Sequence, residues 1–286
     1  MPRNEVMRHV VHKANMCLAT TRQVEIGRGW EHAFCCRDLM QLHTVSIKEV
    51  NYLFPLYLYP TEKADLFDNT ESSGSPSGRR PNLAPEFVDS FSKKLKLRFV
   101  FDGLGDLKST FGPEDVFNYA YAVLYSPTYR VRYAQFLKID FPRLPLTSDT
   151  KLFSTLCANG RRLVALHLME EFGKEISRFP IAGSNEVVKV DFVTDSDRLT
   201  GQNSPGSPDI GRIYINAEQY FEGVPTQVWS FHIGGYQVCQ KWLKDHKGRL
   251  LTFDELVHYQ RVISAINETI RLQTEIDAAI PSWPIK

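Results

Sequence analysis

A block of helical periodicity occupies the middle of the chain, between two regions that have strand patterns. From Phe87 to Leu95, apolar residues recur at three- and four-residue steps, which is the spacing of one helix face. Helical patterns continue to Met169, whereas β-rich runs bounded by turn residues lie before Pro60 and after Pro180. Strands, then helices, then strands predict an α+β fold. We expect mixed β-sheet regions at both ends around a central helical segment, with a long C-terminal helix.

Short apolar runs mark the expected strands. Pro55 lies inside the run Asn51–Tyr59, and because proline has no N–H to donate, this run is expected to be an edge strand or to carry a bulge. In the C-terminal region, strands are expected over Val187–Val193, Arg212–Ile215 and Val228–Ile233. These runs supply the sheet regions at the two ends of the fold.

Two further helices have recognisable start signals. Asp149 is a capping residue for a long helix that reaches Met169 and is interrupted only at Gly160. Thr252 and Glu255 have the spacing of a capping box, in which the two side chains satisfy the first backbone N–H groups of a helix. We therefore predict a last helix of about 25 residues.

Composition shifts divide the chain into four segments. Residues 1–61 are the expected N-terminal β-rich part, and residues 62–82 are rich in Ser, Gly and Pro, which predicts a flexible loop. Residues 83–180 form a helical basic segment, and residues 181–286 form a C-terminal subdomain of β-sheet and helix. A second polar loop is expected over residues 194–210.

Charge is segregated along the chain although its total is nearly balanced. The 286 residues carry a formal net charge of +1 at pH 7, which argues against a surface coated with basic groups. Between Ser77 and Val164 there are 14 Lys and Arg against 8 Asp and Glu, which leaves a net −5 for the rest. Contacts with a polyanion are therefore expected in the helical segment.

Motifs of several common enzyme classes are missing from the sequence. Gly103-Leu104-Gly105 lacks the further glycine and the Lys-Ser/Thr of a nucleotide-binding loop. Cysteine and histidine show no zinc-ligand spacing, and a solvated loop accounts for the acidic residues around Asp195 and Asp209. The motif of the nucleophilic hydrolases is also missing. We expect neither a catalytic site nor a metal site.

Signals for export or membrane insertion are missing as well. The five cysteines form no Cys-x-x-Cys pair, which fits a reducing compartment. The first 11 residues mix charges with single apolar residues and lack the apolar core of a signal peptide. No stretch reaches the roughly 18 apolar residues of a membrane span. We expect a cytoplasmic bacterial protein.

Three stretches of the sequence resemble one family of restriction enzymes. They are Asn51–Tyr59, Pro113–Arg130 continuing to Phe141-Pro142-Arg143, and Gly234–Val238 followed by Lys241–Lys244. These stretches are similar to the C-terminal specificity region of Type ISP restriction-modification enzymes. Such enzymes join a nuclease, a DNA translocase, an adenine methyltransferase and a target-recognition domain in one polypeptide. The likeness spans roughly residues 20–277.

The resemblance implies a role in sequence-specific recognition of double-stranded DNA. In the family, this region follows the methyltransferase core and selects the site at which adenine is methylated. The sequence lacks the Asn/Asp-Pro-Pro-Tyr/Phe and Gly-rich motifs of DNA amino-methyltransferases, so it is not expected to methylate by itself. S-Adenosylmethionine, ATP and Mg²⁺ would belong to catalytic parts that are missing here. Expected partners are duplex DNA and the methyltransferase and helicase-nuclease domains of the same system, and the chain is either a separate subunit, a fragment or a decayed remnant.

Two sets of side chains are candidates for contacts with DNA. Contacts to phosphates position a protein on the duplex, and contacts to base edges provide specificity. The phosphate candidates are Lys93, Lys94, Lys96, Arg130, Arg132, Arg143, Lys151, Arg161 and Arg162. The base-reading candidates, expected on loops and strand ends, are Arg79, Arg80, Asn82, Gln202, Asn203 and Arg212.

Two other functions are open at this point. A module that docks on a methyltransferase or helicase without reading DNA would also explain a net charge near zero. A nuclease is a weaker alternative, because Glu186–Lys189, Asp191 and Asp209 have the wrong spacing for a carboxylate–lysine set. A DNA reader should lose affinity steeply with salt, whereas a docking module should ignore DNA at any salt.

Overall fold

Helices and small sheets both occur in the computed structural model, which confirms the predicted α+β fold. The structure describes residues 7–25, 29–46, 48–60, 78–195 and 209–285. The chain groups into two compact units, one of residues 1–164 with 273–286 and one of residues 165–272. The four segments predicted from the sequence are a finer division, which stays a prediction.

The first unit opens with a three-stranded antiparallel sheet. Its strands are β1 (Cys17–Thr21), β2 (Ala33–Cys36) and β3 (Asn51–Pro55), in the order β2-β1-β3. Pro55 therefore belongs to an edge strand, where a residue without an N–H group is tolerated. The edge strand predicted from this proline is confirmed.

Two short strand pairs follow in the same unit. β4 (Tyr57–Leu58) pairs antiparallel with β5 (Arg80–Pro81), and β6 (Arg98–Phe99) pairs parallel with β7 (Thr110–Phe111). In the turn between β6 and β7, the carboxylate of Asp106 accepts hydrogen bonds from three backbone N–H groups. These hydrogen bonds hold the pKa of Asp106 well below its ordinary value.

Five helices follow in the described part of the first unit, and the first, second and fifth of them share a buried aromatic cluster. They are α1 (Pro85–Leu95), α2 (Pro113–Tyr125), α3 (Pro127–Arg132), α4 (Ala134–Leu137) and α5 (Thr150–His167), the last three residues of which belong to the second unit. The cluster has ring centroids 5.3–5.8 Å apart in edge-on and tilted pairs, a favourable geometry for aromatic rings. Its members are Phe91, Phe111, Tyr119 and Phe153.

Two of these helices pack closely against each other. α2 is buried on almost all sides, because it lies at the centre of the unit. α5 is not interrupted at Gly160 but runs through it. A Cβ atom at Gly160 would stand 1.8 Å from the carbonyl oxygen of Asn118 in α2, so the glycine permits close approach of the two helices.

The second unit is built on another three-stranded antiparallel sheet. Its strands are β8 (Asp191–Thr194), β9 (Ile210–Tyr214) and β10 (Tyr220–Pro225), in the order β10-β9-β8. Only the last three residues of the strand predicted over Val187–Val193 join this sheet, as part of β8. Val187 donates its N–H to Arg249 O, which lies outside the sheet. Residues 196–208 of the predicted polar loop lie outside the described residues.

The residues that follow this sheet differ in structure from another sequence prediction. The strand predicted over Val228–Ile233 is wrong, since α6 (Thr226–Trp229) occupies its first half and β11 (His232–Ile233) is only two residues long. Thr226 donates its N–H to Asp209 O over 2.8 Å, which fixes the start of the helical turn. Short apolar runs fit a strand and a helical turn equally well by pattern alone.

The C-terminal helices complete the core of the second unit. β12 (Tyr236–Gln237) pairs with β11, and α7 (Val238–Asp245) and α8 (Phe253–Ala279) follow. Tyr259 of α8 packs edge-on against Phe221, with ring centroids 4.7 Å apart. The predicted capping box is confirmed: Glu255 N donates to Thr252 Oγ1 over 3.2 Å, and Thr252 N donates to Glu255 Oε2 over 2.8 Å.

None of the helices that the structure describes is both long enough and apolar enough to cross a lipid bilayer.

Candidate nucleic-acid interface

Four of the predicted phosphate contacts lie at one junction of the first unit, where α1 ends and α5 begins. The hydroxyl of Thr150 donates to the carbonyl oxygen of Leu95 over 3.2 Å, and the ammonium of Lys94 donates to that of Leu146. These bonds hold the two helix ends together. The exposed side chains brought to this junction form the lysine cluster: Lys93, Lys94, Lys96 and Lys151.

Local sequence explains the shape of this junction. α1 ends at Lys96, which adopts the left-handed conformation (φ 59°, ψ 33°) of a helix cap. Asp149 begins α5, because its carboxylate accepts the N–H groups of Lys151 and Leu152 over 2.8 and 3.1 Å. Lys93 and Lys94 also stabilise the negative end of the α1 dipole. The lysine cluster therefore has a structural role besides any role in binding.

Positive charge continues from the lysine cluster along the exposed side of α5. Arg161 and Arg162 are both exposed. Arg162 follows Lys151 by three helical turns, so the two residues share one face about 16 Å apart. This face and the lysine cluster form a basic surface within the first unit.

Arg130 differs from the other phosphate candidates because its guanidinium is directed into the unit. Its Nε donates to the carbonyl oxygen of Leu124 over 2.7 Å, and its Cζ lies 4.5 Å from the ring centroid of Tyr125. The side chain is half-buried. The remaining two candidates, Arg132 and Arg143, are exposed beside α3 and α4.

Two of the base-reading candidates are engaged in ion pairs. Arg79 donates from Nε and Nη2 to Asp102 Oδ1 over 3.0 and 2.5 Å, and its guanidinium stacks 3.8 Å from the ring centroid of Tyr57. Arg212 lies 3.5 Å from Glu222 and 4.3 Å from the ring centroid of Tyr220 on the outer face of the second sheet. Each arginine would have to leave its partners to reach a base.

Arg80 and Asn82 are the exposed base-reading candidates. The amide nitrogen of Asn82 donates to Pro55 O over 2.9 Å, and the amide oxygen of Asn82 takes no part in that bond. No residue that the structure describes makes a hydrogen bond or ion pair with the guanidinium of Arg80. Gln202 and Asn203 lie outside the described residues.

Sequence reasoning missed one surface feature near Arg132 and Arg143. Val131, Phe136 and Ile139 are apolar yet strongly exposed, with fractional exposures of 79, 68 and 66%. A signal was present, because residues 129–141 carry apolar side chains at more positions than one buried helix face can cover. Exposed apolar groups of this kind mark interaction surfaces.

Burial makes two of the cysteines poor nucleophiles, whereas Cys36 is half-buried and its hydrogen bond with the Cys17 thiol lowers its pKa. All five are free thiols, and burial raises the pKa of Cys35 and of Cys239 to about 12. Within the described ranges, no three His, Cys, Asp or Glu side chains are grouped so that they could hold a metal ion.

Comparison with solved structures identifies the fold. The ATP-dependent Type ISP restriction-modification enzyme LlaBIII bound to DNA is 17% identical with a TM-score of 0.61, over 96% of this chain and 16% of that chain. A nuclease-deletion mutant of the Type ISP enzyme LlaGI in complex with a DNA substrate mimic is 17% identical with a TM-score of 0.59, over 96% and 22%. The DrdV–DNA complex is 18% identical with a TM-score of 0.63, over 92% and 24%. The chain thus has the fold of a part of these enzymes and spans less than a quarter of their length.

Comparison by sequence gives the family. No curated protein matches the chain. The model of the Type ISP C-terminal specificity domain matches residues 1–275, which is nearly the whole chain and includes all three stretches on which the resemblance was based. The chain therefore belongs to the family of Type ISP C-terminal specificity domains.

Proposed function

We propose that this chain recognises a specific sequence in double-stranded DNA and directs the catalytic parts of a restriction-modification system to it. The observation that carries the proposal is the match of the specificity-domain family to residues 1–275. The basic surface of the first unit supports it, because phosphate contacts supply most of the affinity of DNA-binding proteins.

The two kinds of contact are assigned to different places in the first unit. The lysine cluster and the exposed face of α5 contact phosphates and set the register of the protein on the duplex. Arg80 reads a base edge, since an exposed arginine can make two hydrogen bonds to guanine in the major groove. Gln202 and Asn203 stay candidates for adenine.

Catalysis belongs to other parts of the system in this proposal. The chain itself binds no cofactor, and S-adenosylmethionine, ATP and Mg²⁺ serve the methyltransferase and helicase-nuclease domains. The match covers less than a quarter of each similar enzyme, which leaves room for such domains. If the methyltransferase flips an adenine out of the stack, the specificity domain holds the flanking base pairs in place.

Selection from a randomised duplex pool tests the proposal. The full chain is incubated with the pool at low and moderate salt, and the retained duplexes are sequenced. Enrichment of one short motif is expected, together with a steep loss of retention at the higher salt as counterions are released. Retention without enrichment would contradict sequence reading, and no retention at any salt would favour the docking alternative.

Two variants test whether the lysine cluster makes the contacts with DNA. Lys93, Lys94, Lys96 and Lys151 are all changed to glutamine in the test variant. The matched control changes four exposed lysines elsewhere to glutamine: Lys108, Lys174, Lys244 and Lys247. Both variants lose the same charge, so only the first should lose retention if the lysine cluster contacts phosphates.

A further inference from the structure

An apolar groove on the first unit has no role in the DNA contacts assigned above. It lies between α3, α4 and the segment Phe141–Pro145, and it encloses about 540 Å³. Its floor is formed by Tyr129, Tyr133, Leu137 and Leu144. Phe136 and Ile139 stand at its edge with two thirds of their surface exposed.

The groove is held open by contacts within the unit. The Tyr129 hydroxyl donates to Arg143 O over 2.8 Å, which fixes the segment after α4 against α3. Trp283 packs on Tyr129 and Tyr133, with centroid distances of 5.7 and 6.0 Å, and so supports two of the rings that line the groove. The groove is therefore part of the folded unit and does not depend on a ligand to form.

Exposed aromatic surface continues beyond the groove. Phe141 packs edge-on against Tyr52 and Phe54, with centroid distances of 5.1 and 5.4 Å. Both of these side chains are exposed on the edge strand β3. Together with Phe136 and Ile139 they extend the apolar surface over two elements, and apolar surface of this extent marks a binding face.

The charged side chains at the rim of the groove are mostly cations. Asp140 and Arg143 line it, and Arg132 and Lys138 are adjacent in sequence to lining residues. The carboxylate of Asp140 pairs with Arg22, whose Nε lies 3.3 Å from Asp140 Oδ1, and the charge of Arg143 also acts on it. One carboxylate against four cations leaves an excess of positive charge, so an occupant of the groove meets apolar walls and a positively charged rim.

We propose that this groove binds a protein segment that presents two or three apolar side chains with carboxylates beside them. Aromatic and aliphatic groups with arginine are the composition of the energetically dominant part of protein interfaces. An intact duplex would meet the rim cations but leave the apolar floor unfilled, because its bases are stacked inside. The inference does not rest on DNA recognition, since it concerns a different surface and a different partner.

Selection from a displayed library of random peptides, each about 16 residues long so that it can form a helix, tests the inference. The full chain is the target, and a variant with Phe136→Ser and Ile139→Ser is used for counter-selection. Both residues are exposed, so thermal melting of this variant should match that of the unchanged chain. The matched control is Phe253→Ser, which removes a side chain that is 77% exposed in the second unit.

The retained peptides are expected to carry apolar residues at helical spacing with Asp or Glu beside them. The double variant should weaken binding of an enriched peptide by at least about tenfold, as for interface hot spots, and Phe253→Ser should leave it unchanged. Arg143→Glu should also weaken the binding of acidic peptides to the groove.

Four outcomes would overturn the inference. Enrichment of basic peptides would reverse the charge assignment, and a failure to enrich any peptide would leave the groove without the proposed occupant. Weaker duplex binding by the double variant would make the groove a DNA contact. Self-association of the chain that the double variant abolishes would identify a second copy as the occupant. The duplex-pool experiment is unaffected by the first two results, so failure here and failure of DNA recognition are distinguishable.

Discussion

Arg79 and Arg80 are neighbours in the sequence but differ in what holds their side chains. The Arg79–Asp102 pair is largely shielded, with 18 and 28% of the two side chains exposed, and Tyr57 covers the guanidinium. Arg80 is exposed in β5. The same residue type is therefore structural at one position and available for binding at the next.

Substitution of each arginine by alanine should separate these roles. Arg79→Ala is expected to lower the free energy of unfolding by about 1–3 kcal/mol, because it removes two charge-assisted hydrogen bonds to the half-buried Asp102 carboxylate. Arg80→Ala should leave stability within about 0.5 kcal/mol and weaken binding to the selected duplex by about 1–3 kcal/mol. Urea unfolding and duplex titration measure the two effects. Equal destabilisation by both variants would contradict the assignment.

Gly160 is a second position where a single added atom should change the stability of the protein. Gly160→Ala should destabilise the protein by about 1–3 kcal/mol despite the better helix propensity of alanine, because its Cβ overlaps Asn118 O. Gly29→Ala is the matched control, since a Cβ there meets nothing within 4 Å. Thermal unfolding of the two variants provides the comparison, and a stabilised Gly160→Ala would show that α2 and α5 do not approach so closely.

His9 links stability to pH. Its Nδ1 accepts the N–H of Tyr59 over 2.9 Å, and burial, assisted by the charges of Arg8 and Arg80, lowers the pKa of His9 below the ordinary 6.5. The unfolded chain then binds the proton more tightly, so this contribution to stability is present above pH 6.5 and is lost as pH falls through the folded pKa. His9→Gln should flatten the fall in melting temperature between about pH 7.5 and 5.5, whereas His12→Gln should leave it unchanged. Parallel curves for all three proteins would refute the assignment.

The limits of the sequence are clearest at this scale. Lys93, Lys94 and Lys96 were predicted on an exposed face by helical spacing, and they are exposed. The partner of Arg79 was not predictable, because Asp102 comes into contact with it only through the tertiary fold. The contact of Arg130 with Tyr125 is local, but it depends on the angle between α2 and α3, which the sequence pattern does not give. Which of the candidates touch DNA stays a prediction.

At the scale of elements, the sequence was most informative where capping residues mark a boundary. Asp149 and Thr252 each mark the start of a helix within one residue. Predictions based on apolar runs alone were less reliable, because Val228–Ile233 contains a helical turn. Strand order was not predictable, since the pairing of β1 with β3 joins residues 30 to 38 positions apart.

The capping box of α8 gives a test at this scale. Thr252→Ala should lower the free energy of unfolding by about 1 kcal/mol, because the N–H of Glu255 loses its acceptor. Thr155→Ala is the matched control within α5, where alanine has the higher helix propensity and no cap is lost. Chemical unfolding measures the free energy of unfolding of both variants, and an equal loss in the two would argue against the cap.

At the scale of the whole molecule, a net charge of +1 and a concentrated basic surface predict a particular salt dependence. Affinity should come from a few local phosphate contacts rather than from general attraction. If the four side chains of the lysine cluster and Arg161 and Arg162 each contact one phosphate, log K for duplex binding should fall with log salt with a slope of about −5. Substitution of the lysine cluster by glutamine should reduce this slope to about −2, the share of the two arginines.

The matched control distinguishes local contacts from total charge. Both lysine variants lose four positive charges, so both have a formal net charge of −3, against +1 for the unchanged chain. If total charge governed binding, the two variants would lose affinity and slope together. We expect the control variant with Lys108, Lys174, Lys244 and Lys247 replaced to keep a slope within about one unit of the original, because charges more than a Debye length from the DNA are screened. Titrations of one duplex across a salt series measure all three slopes, and a shared decrease would place the DNA-binding surface outside the lysine cluster.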